Sequence, residues 1–190
     1  MLIIPKSEFL KFKEKNIELI KYGAIFIYPT DTIYGIGCDA RNPTAIRKIR
    51  DIKQSTQPLS AIVPSKDWIQ ENLVCRKSFD KWIAKLPGPF TLIMKVKDAR
   101  CVSRELLAGQ KNLGVRIPSN WFSGIVAEAN LPVVTTSVNV HGQKPINSVK
   151  DIPESIKNKV DFVIDDGVIK GSPSTIVNLT KSPPEIIERK

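Results

Sequence analysis

Short apolar runs that break off at proline or glycine alternate along this chain with longer stretches of helical spacing, and no other feature restricts its architecture so much. Ala24-Ile25-Phe26-Ile27-Tyr28 stops at Pro29 and fits a buried strand. Ahead of it, Lys6 to Tyr22 carries Phe9, Phe12, Leu19 and Ile20 among lysines and ends at Gly23, which predicts an amphipathic helix with a glycine past its end. Asn42-Pro43 is a cap followed by a first-turn proline, so a helix is expected through about Lys53, with an extended segment from Leu59 to Val63. Ser65 caps a helix over 66–72, and a second helical stretch over 77–86 leads to the turn Pro87-Gly88-Pro89 and the strand Phe90 to Val96. Further strands are expected at 113–117, 132–136, 161–165 and 175–179, with a helix over 119–129. The order predicts an α/β fold, a mixed twisted sheet flanked by helices, in one domain over 1–190.

With 190 residues, 42% of them hydrophobic, the chain can bury a core without disulfide or metal staples. Cys38, Cys75 and Cys101 are odd in number and lack C-x-x-C spacing, so they read as free thiols in a reducing compartment. His141 is the sole histidine; it excludes a multi-histidine metal site and reads as a loop residue with no nucleophile or acid at a telling distance. No metal ligands are expected from the protein. The apolar start, Met1 to Ile4, is too short for a signal peptide and no run reaches the roughly 18 residues of a membrane span, so a cytoplasmic protein without a membrane partner is expected. The net charge of +10, from 29 basic and 19 acidic side chains, favours polyanionic partners. Lysines outnumber arginines 21 to 8 and are scattered, which fits a solvated lysine-rich surface equally well.

Three polar clusters follow the ends of expected strands or enter them, where open α/β sheets present ligands. Thr30-Asp31-Thr32 leads to Gly35-Ile36-Gly37; hydroxyls beside permissive backbone suit a small polar ligand, and an ordinary Asx or hydroxyl turn explains them too. In Thr135-Thr136-Ser137-Val138-Asn139, Ser137 and Asn139 share a strand face and offer a hydroxyl and an amide to one partner. Ser172-Pro173-Ser174-Thr175 is a loop entering a strand. Arg116 sits mid-strand between Val115 and Ile117, on the opposite face from both, and a charge there needs an anion, solvent or an internal carboxylate. Lys53 ends a helix, where a solvated lysine complementing the helix dipole is the ordinary reading.

Taken in order, Tyr28-Pro29-Thr30-Asp31-Thr32-Ile33-Tyr34-Gly35-Ile36-Gly37, Lys53 with Pro58-Leu59, Leu86-Pro87-Gly88-Pro89-Phe90-Thr91, Gly114-Val115-Arg116-Ile117-Pro118, Ser137-Val138-Asn139 and Ser174-Thr175-Ile176 resemble the YrdC/TsaC family of L-threonylcarbamoyladenylate synthases. The resemblance implies a YrdC-like mixed sheet with a basic concave cavity. It also implies conversion of L-threonine, bicarbonate and ATP, with Mg²⁺ as companion of the nucleotide, to threonylcarbamoyl-AMP and pyrophosphate. Position by position, it implies that Lys53, Arg116, Ser137 and Asn139 serve catalysis, and that ATP meets Lys53, Arg116, Asn139, Asn147, Ser148 and Arg189. Thr32, Asn120, Ser137 and Ser174 would surround threonine. Implied partners are these small molecules, tRNA, and the downstream tRNA threonylcarbamoyl transferase machinery.

Two departures stand out. The family pattern K-x-R is here Lys53-Gln54-Ser55, and the loop to Pro58 is shorter; Arg50, three residues before Lys53 on the same expected helix, is the candidate replacement phosphate contact. The chain ends near Arg189 and resembles the short form of the family. A non-catalytic RNA-binding relative is the competing reading, supported by the charge and the missing arginine and opposed by sparse aromatic residues.

Overall fold

The computed structural model describes residues 1–140 and 143–189; His141, read above as a loop residue, lies outside the described residues. Ten strands form one mixed sheet: β1 Leu2–Pro5, β2 Phe26–Tyr28, β3 Gly35–Gly37, β4 Ser60–Ile62, β5 Phe90–Lys95, β6 Asn112–Arg116, β7 Val133–Ser137, β8 Phe162–Asp165, β9 Thr175–Asn178 and β10 Glu185–Ile187, in the order β1-β8-β2-β3-β7-β4-β6-β5-β9-β10. β1 and β2 run parallel to β8, β4 parallel to β6, and β5 parallel to β9; the other neighbours are antiparallel. The helices are α1 Lys6–Lys11, α2 Lys13–Lys21, α3 Pro43–Lys53, α4 Lys66–Asn72, α5 Asp80–Ile83, α6 Arg104–Leu107, α7 Trp121–Glu128 and α8 Glu154–Lys157. None of them is long and apolar enough to cross a membrane.

The strand alternation decides where the core lies. In the β2 segment Ile25 and Ile27 join a large cluster with Ile46, Ile49 and Val163, while Phe26 and Tyr28 point the other way, onto Phe122 and Phe162. Both faces of this end of the sheet are therefore buried. At the other end the pattern is one-sided: Leu92, Met94, Leu113 and Val115 enter the core. Thr91, Ile93, Asn112, Gly114 and Arg116 face away from it and line cavities. Here the antiparallel β5–β6 register, Leu92 opposite Val115 and Ile93 opposite Gly114, puts Leu92, Met94, Leu113 and Val115 together on the core side and leaves Ile93 opposite a glycine on the other.

Local chemistry explains most element boundaries. The Asn42 side chain accepts the Ala45 N–H at 3.0 Å, with Pro43 in the first turn of α3, and Ser65 accepts the Trp68 N–H at 3.0 Å to start α4. The single helix expected over Lys6 to Tyr22 is instead two, because Phe12 leaves the helical region at φ −114°, ψ 35° and ends α1. The stretch expected as one helix over 77–86 is a single 3₁₀ turn and the four-residue α5. Three strands were not expected: β1, too short for alternation to register; β3, a Gly-Ile-Gly segment; and β10. Glycine is what makes β3 possible, since a Cβ on Gly37 would lie 2.1 Å from the Val134 carbonyl oxygen and 2.9 Å from the Tyr28 ring.

Candidate active site

A cavity of about 190 Å³ opens on the uncovered side of the sheet, lined by hydroxyls of Thr30, Ser60, Thr91, Thr135, Thr136, Ser137 and Ser174 and by two arginines, Arg116 and Arg189. It sits where β4, β6 and β7 converge with the loops after β2 and before β9. Thr30 organises its own loop: its hydroxyl accepts the N–H groups of Thr32 and Ile33 and donates to the Ile33 carbonyl at 2.7 Å. On the far wall Ser174 and Thr91 share a hydroxyl bond of 2.7 Å.

Arg116, at the end of β6, is 5% exposed. Its Nη2 donates to Asp31 Oδ1 at 2.6 Å and to Thr32 Oγ1 at 3.1 Å, and Asp31 Oδ2 accepts the Ser119 N–H at 2.9 Å. The internal carboxylate anticipated as one explanation of this mid-strand charge is thus present. It does not saturate the guanidinium, because Arg116 Nε is buried without a partner. Arg189 approaches from beyond β10, donating to the Ser174 carbonyl at 2.9 Å and to Ser174 Oγ at 2.7 Å. No carboxylate among the described residues pairs with it. Desolvation lowers its pKa, and the nearby Arg116 charge lowers it further. Desolvation likewise lowers that of Arg116, against the opposing pull of Asp31. Two guanidinium groups thus line one cavity, and one carboxylate, Asp31, pairs with one of them.

Lys53 is 6% exposed, so it is not the solvated helix-end lysine of the ordinary reading. Its ammonium donates to the Ser137 carbonyl at 2.7 Å, the Asn139 carbonyl at 2.6 Å and Asn139 Oδ1 at 2.5 Å. Burial brings its pKa down to about 8. The Ser137 hydroxyl donates to the same Asn139 Oδ1 at 2.5 Å, and Asn139 Nδ2 donates to the Gln143 carbonyl at 2.5 Å.

Other expected site residues lie further out. Asn120 Nδ2 donates to the Pro29 carbonyl at 2.9 Å, while its Oδ1 is buried and unpaired. Thr32 is buried beneath Arg116. Asn147 braces a neighbouring loop, donating to the Ile169 and Gly171 carbonyls at 2.8 and 3.1 Å, and Ser148 caps a 3₁₀ turn; neither lines the cavity. Arg50, expected as the replacement phosphate contact, does not line the cavity. Its guanidinium donates to the Glu105 carbonyl at 2.7 Å, to Leu106 at 3.3 Å and to Gln57 at 2.8 Å, tying the loop after α3 to α6 and away from the cavity. Asp31, Ser60, Thr91 and Thr135 were not singled out individually as site residues. Ser60, Thr91 and Thr135 carry a signal, a hydroxyl in an otherwise apolar strand.

Asp31 is committed to Arg116 and Ser119, and the cavity lining holds no carboxylate among the described residues. The donor set therefore does not fit Mg²⁺ as an ion held by the protein, and no group of three or more His, Cys, Asp or Glu side chains suited to a metal occurs among the described residues.

Comparison with known proteins gives these features a context. Residues 18–190 match the Sua5/YciO/YrdC family model, described as "Telomere recombination". A Methanocaldococcus jannaschii protein assigned as a threonylcarbamoyl-AMP synthase is 36% identical over 182 residues, covering 92% of this chain and 82% of that protein. Among solved structures, a double variant of P. abyssi Sua5 superposes with a TM-score of 0.87 at 25% identity, over 99% of this chain and 57% of Sua5. P. abyssi Sua5 complexed with L-threonine gives 0.86 at 23% identity, over 98% and 56%. E. coli YciO gives 0.85 at 24% identity, over 99% and 94%. The chain thus spans just over half the length of the Sua5 structures and nearly all of YciO. With a family model matched over most of its length and a relative above 30% identity, the chain belongs to the Sua5/YciO/YrdC family.

Proposed function

We propose that this chain is a threonylcarbamoyl-AMP synthase, acting on L-threonine, bicarbonate and ATP. The observation that carries the reading is a hydroxyl-lined cavity that holds two arginines, Arg116 buried and Arg189 at its edge, of which only Arg116 is paired with a carboxylate. Such a site has surplus positive charge and unspent donors for an anion, together with neutral acceptors for a small polar molecule. The M. jannaschii relative's assignment and the threonine complex of Sua5 point the same way.

In this reading Arg116 and Arg189 bind nucleotide phosphates, and Arg116 Nε is the donor left open for them. Thr32, Asn120, Ser137 and Ser174 surround threonine, with the unpaired Asn120 Oδ1 suited to an ammonium or hydroxyl donor. Threonine nitrogen and bicarbonate combine to a carbamate with loss of water. A carbamate oxygen then attacks the α-phosphorus of ATP, and the bond to the β-phosphate oxygen breaks to release pyrophosphate. No protein nucleophile is required, and the chain's contribution is orientation and charge stabilisation. Mg²⁺ arrives with ATP as its counterion. The product is an activated acyl donor, consumed by tRNA threonylcarbamoyl transferase machinery.

The test is product formation by purified protein. Threonylcarbamoyl-AMP by mass spectrometry, with pyrophosphate released only when threonine and bicarbonate are both present, is the expected result. Equal release with serine, or without bicarbonate, refutes the substrate assignment. Shape-selective tRNA binding with no adenylate formed would favour the RNA-binding alternative.

A further inference from the structure

Lys53 stands out because it is a buried cation in a nucleotide-site neighbourhood with nothing left to give a nucleotide. An ammonium has three hydrogens. Here three oxygens receive them, all at 2.7 Å or less, from the Ser137 carbonyl, the Asn139 carbonyl and Asn139 Oδ1; a fourth contact, Ser137 Oγ, lies at 3.5 Å. None of these acceptors is charged, and no carboxylate among the described residues pairs with Lys53. Lys53 is also absent from the cavity lining, whereas Ser137 is part of it.

The orientation passes outward through Asn139. A lysine ammonium on one side obliges the Asn139 amide to turn its oxygen, not its nitrogen, toward Lys53. That oxygen also takes the Ser137 hydroxyl proton at 2.5 Å, and Asn139 Nδ2 is left to hold the Gln143 carbonyl. With its proton directed inward, Ser137 Oγ meets the cavity through its lone pairs. A hydroxyl so constrained accepts a hydrogen bond from an ammonium, amide N–H or hydroxyl and repels a phosphate oxygen.

We infer that Lys53 is a positioning residue for the amino-acid substrate: through Asn139 it fixes Ser137 as a hydrogen-bond acceptor for a donor group of that substrate, and it does not contact the phosphates. This rests on the proposed reaction and changes the role that the family resemblance implies for Lys53. It also makes the absent arginine at Ser55 less consequential, since Lys53 and residue 55 then need not work as a phosphate pair.

The experiment separates the two ligands by calorimetry, with a non-hydrolysable ATP analogue and L-threonine each titrated into wild type, Lys53→Met, Asn139→Ala and Ser137→Ala. The expected result is a 10-fold or larger loss of threonine affinity in Lys53→Met, with analogue affinity within about threefold of wild type. Asn139→Ala should reproduce that pattern, and Lys53→Met should add little in the Ser137→Ala background, because the three act in series. A 10-fold or larger loss of analogue affinity in Lys53→Met, with threonine affinity retained, overturns the inference and restores a direct phosphate role. So do independent, additive effects of Lys53→Met and Ser137→Ala. Should Lys53→Met fail to fold, Asn139→Ala decides: unchanged threonine affinity there overturns the chain of orientation. A wild-type protein that binds neither ligand would refute the proposed reaction, and this role with it.

Discussion

Replacing Asp31 by asparagine should weaken the empty protein and strengthen its grip on anions. Both oxygens of Asp31 are used, one by Arg116 Nη2 at 2.6 Å and the other by the Ser119 N–H at 2.9 Å, and the side chains of Arg116 and Asp31 are only 6% and 10% exposed. Asparagine preserves the shape and the acceptor toward Arg116 but removes the charge. With charge centres about 4 Å apart and an effective dielectric near 20, the lost attraction is about 4 kcal/mol, of which the amide dipole recovers part. The net cost should therefore be about 2–3 kcal/mol, somewhat below the roughly 3–5 kcal/mol of a fully orphaned buried charge, because the amide oxygen still accepts from Arg116. For a chain of this size that lowers Tm by roughly 5–10 °C. About half of that energy, roughly 1.4 kcal/mol, becomes available when an anion takes over the charge beside Arg116, so pyrophosphate should bind about 10-fold tighter and restore part of the lost Tm. Differential scanning calorimetry of both proteins, over a pyrophosphate series, reads both quantities. A variant that melts with the wild type, or one whose pyrophosphate-induced shift is no larger, would refute the picture of a cavity short of negative charge.

Three further outcomes follow from geometry already described. With the Lys53 pKa held at about 8 by burial, its proton leaves as pH rises through that value; only the neutral groups of Ser137 and Asn139 bond it, so threonine turnover should decline above pH 8. Stability should respond oppositely, because between pH 8 and the ordinary lysine value the unfolded chain binds the extra proton, which favours the fold as pH rises; pH-dependent turnover and melting together check the pair of signs. Arg50→Ala should leave analogue affinity unchanged while lowering Tm by roughly 4–8 °C, since its carbonyl partners on α6 and the Gln57 loop lose a half-buried charged donor that makes several bonds, together worth about 2 kcal/mol. Gly37→Ala should fail to give soluble protein or melt at least 10 °C lower, as judged by circular dichroism, because neither the Val134 carbonyl nor the Tyr28 ring, locked by its hydroxyl to that same carbonyl at 2.9 Å, has room to withdraw.

The legible parts of this chain were those governed by neighbours in sequence. β4 through β9 read directly because each is a periodic run bounded by a turn signal, and Arg116 was conspicuous because it breaks such a run. An i,i+3 relation to Lys53 fixes the side of α3 from which Arg50 departs, but a long guanidinium goes to whichever acceptors lie within reach, here the carbonyls of Glu105, Leu106 and Gln57. The burial of Lys53 had no local signal, since its three acceptors come from residues more than eighty positions away. Arg189 meets Ser174 only because β9 and β10 form an antiparallel pair, and β10 has an exposed, unremarkable sequence. Asn147 and Ser148 drew attention through family resemblance, and tertiary folding uses them as loop braces.

The one-sided burial of β5 and β6 separates two kinds of evolutionary freedom. On β5, Leu92 and Met94 answer to the core, while Thr91 and Ile93 answer to the cavities, though all four are consecutive in the chain. A descendant could rewrite the cavity-facing letters, one alternate position at a time, and present a new ligand with a new lining while the opposite face went on packing as before. Selection for a different substrate would then proceed without first dismantling the scaffold. Insertion of a single residue would forfeit that freedom, because every later side chain on the strand would exchange its audience.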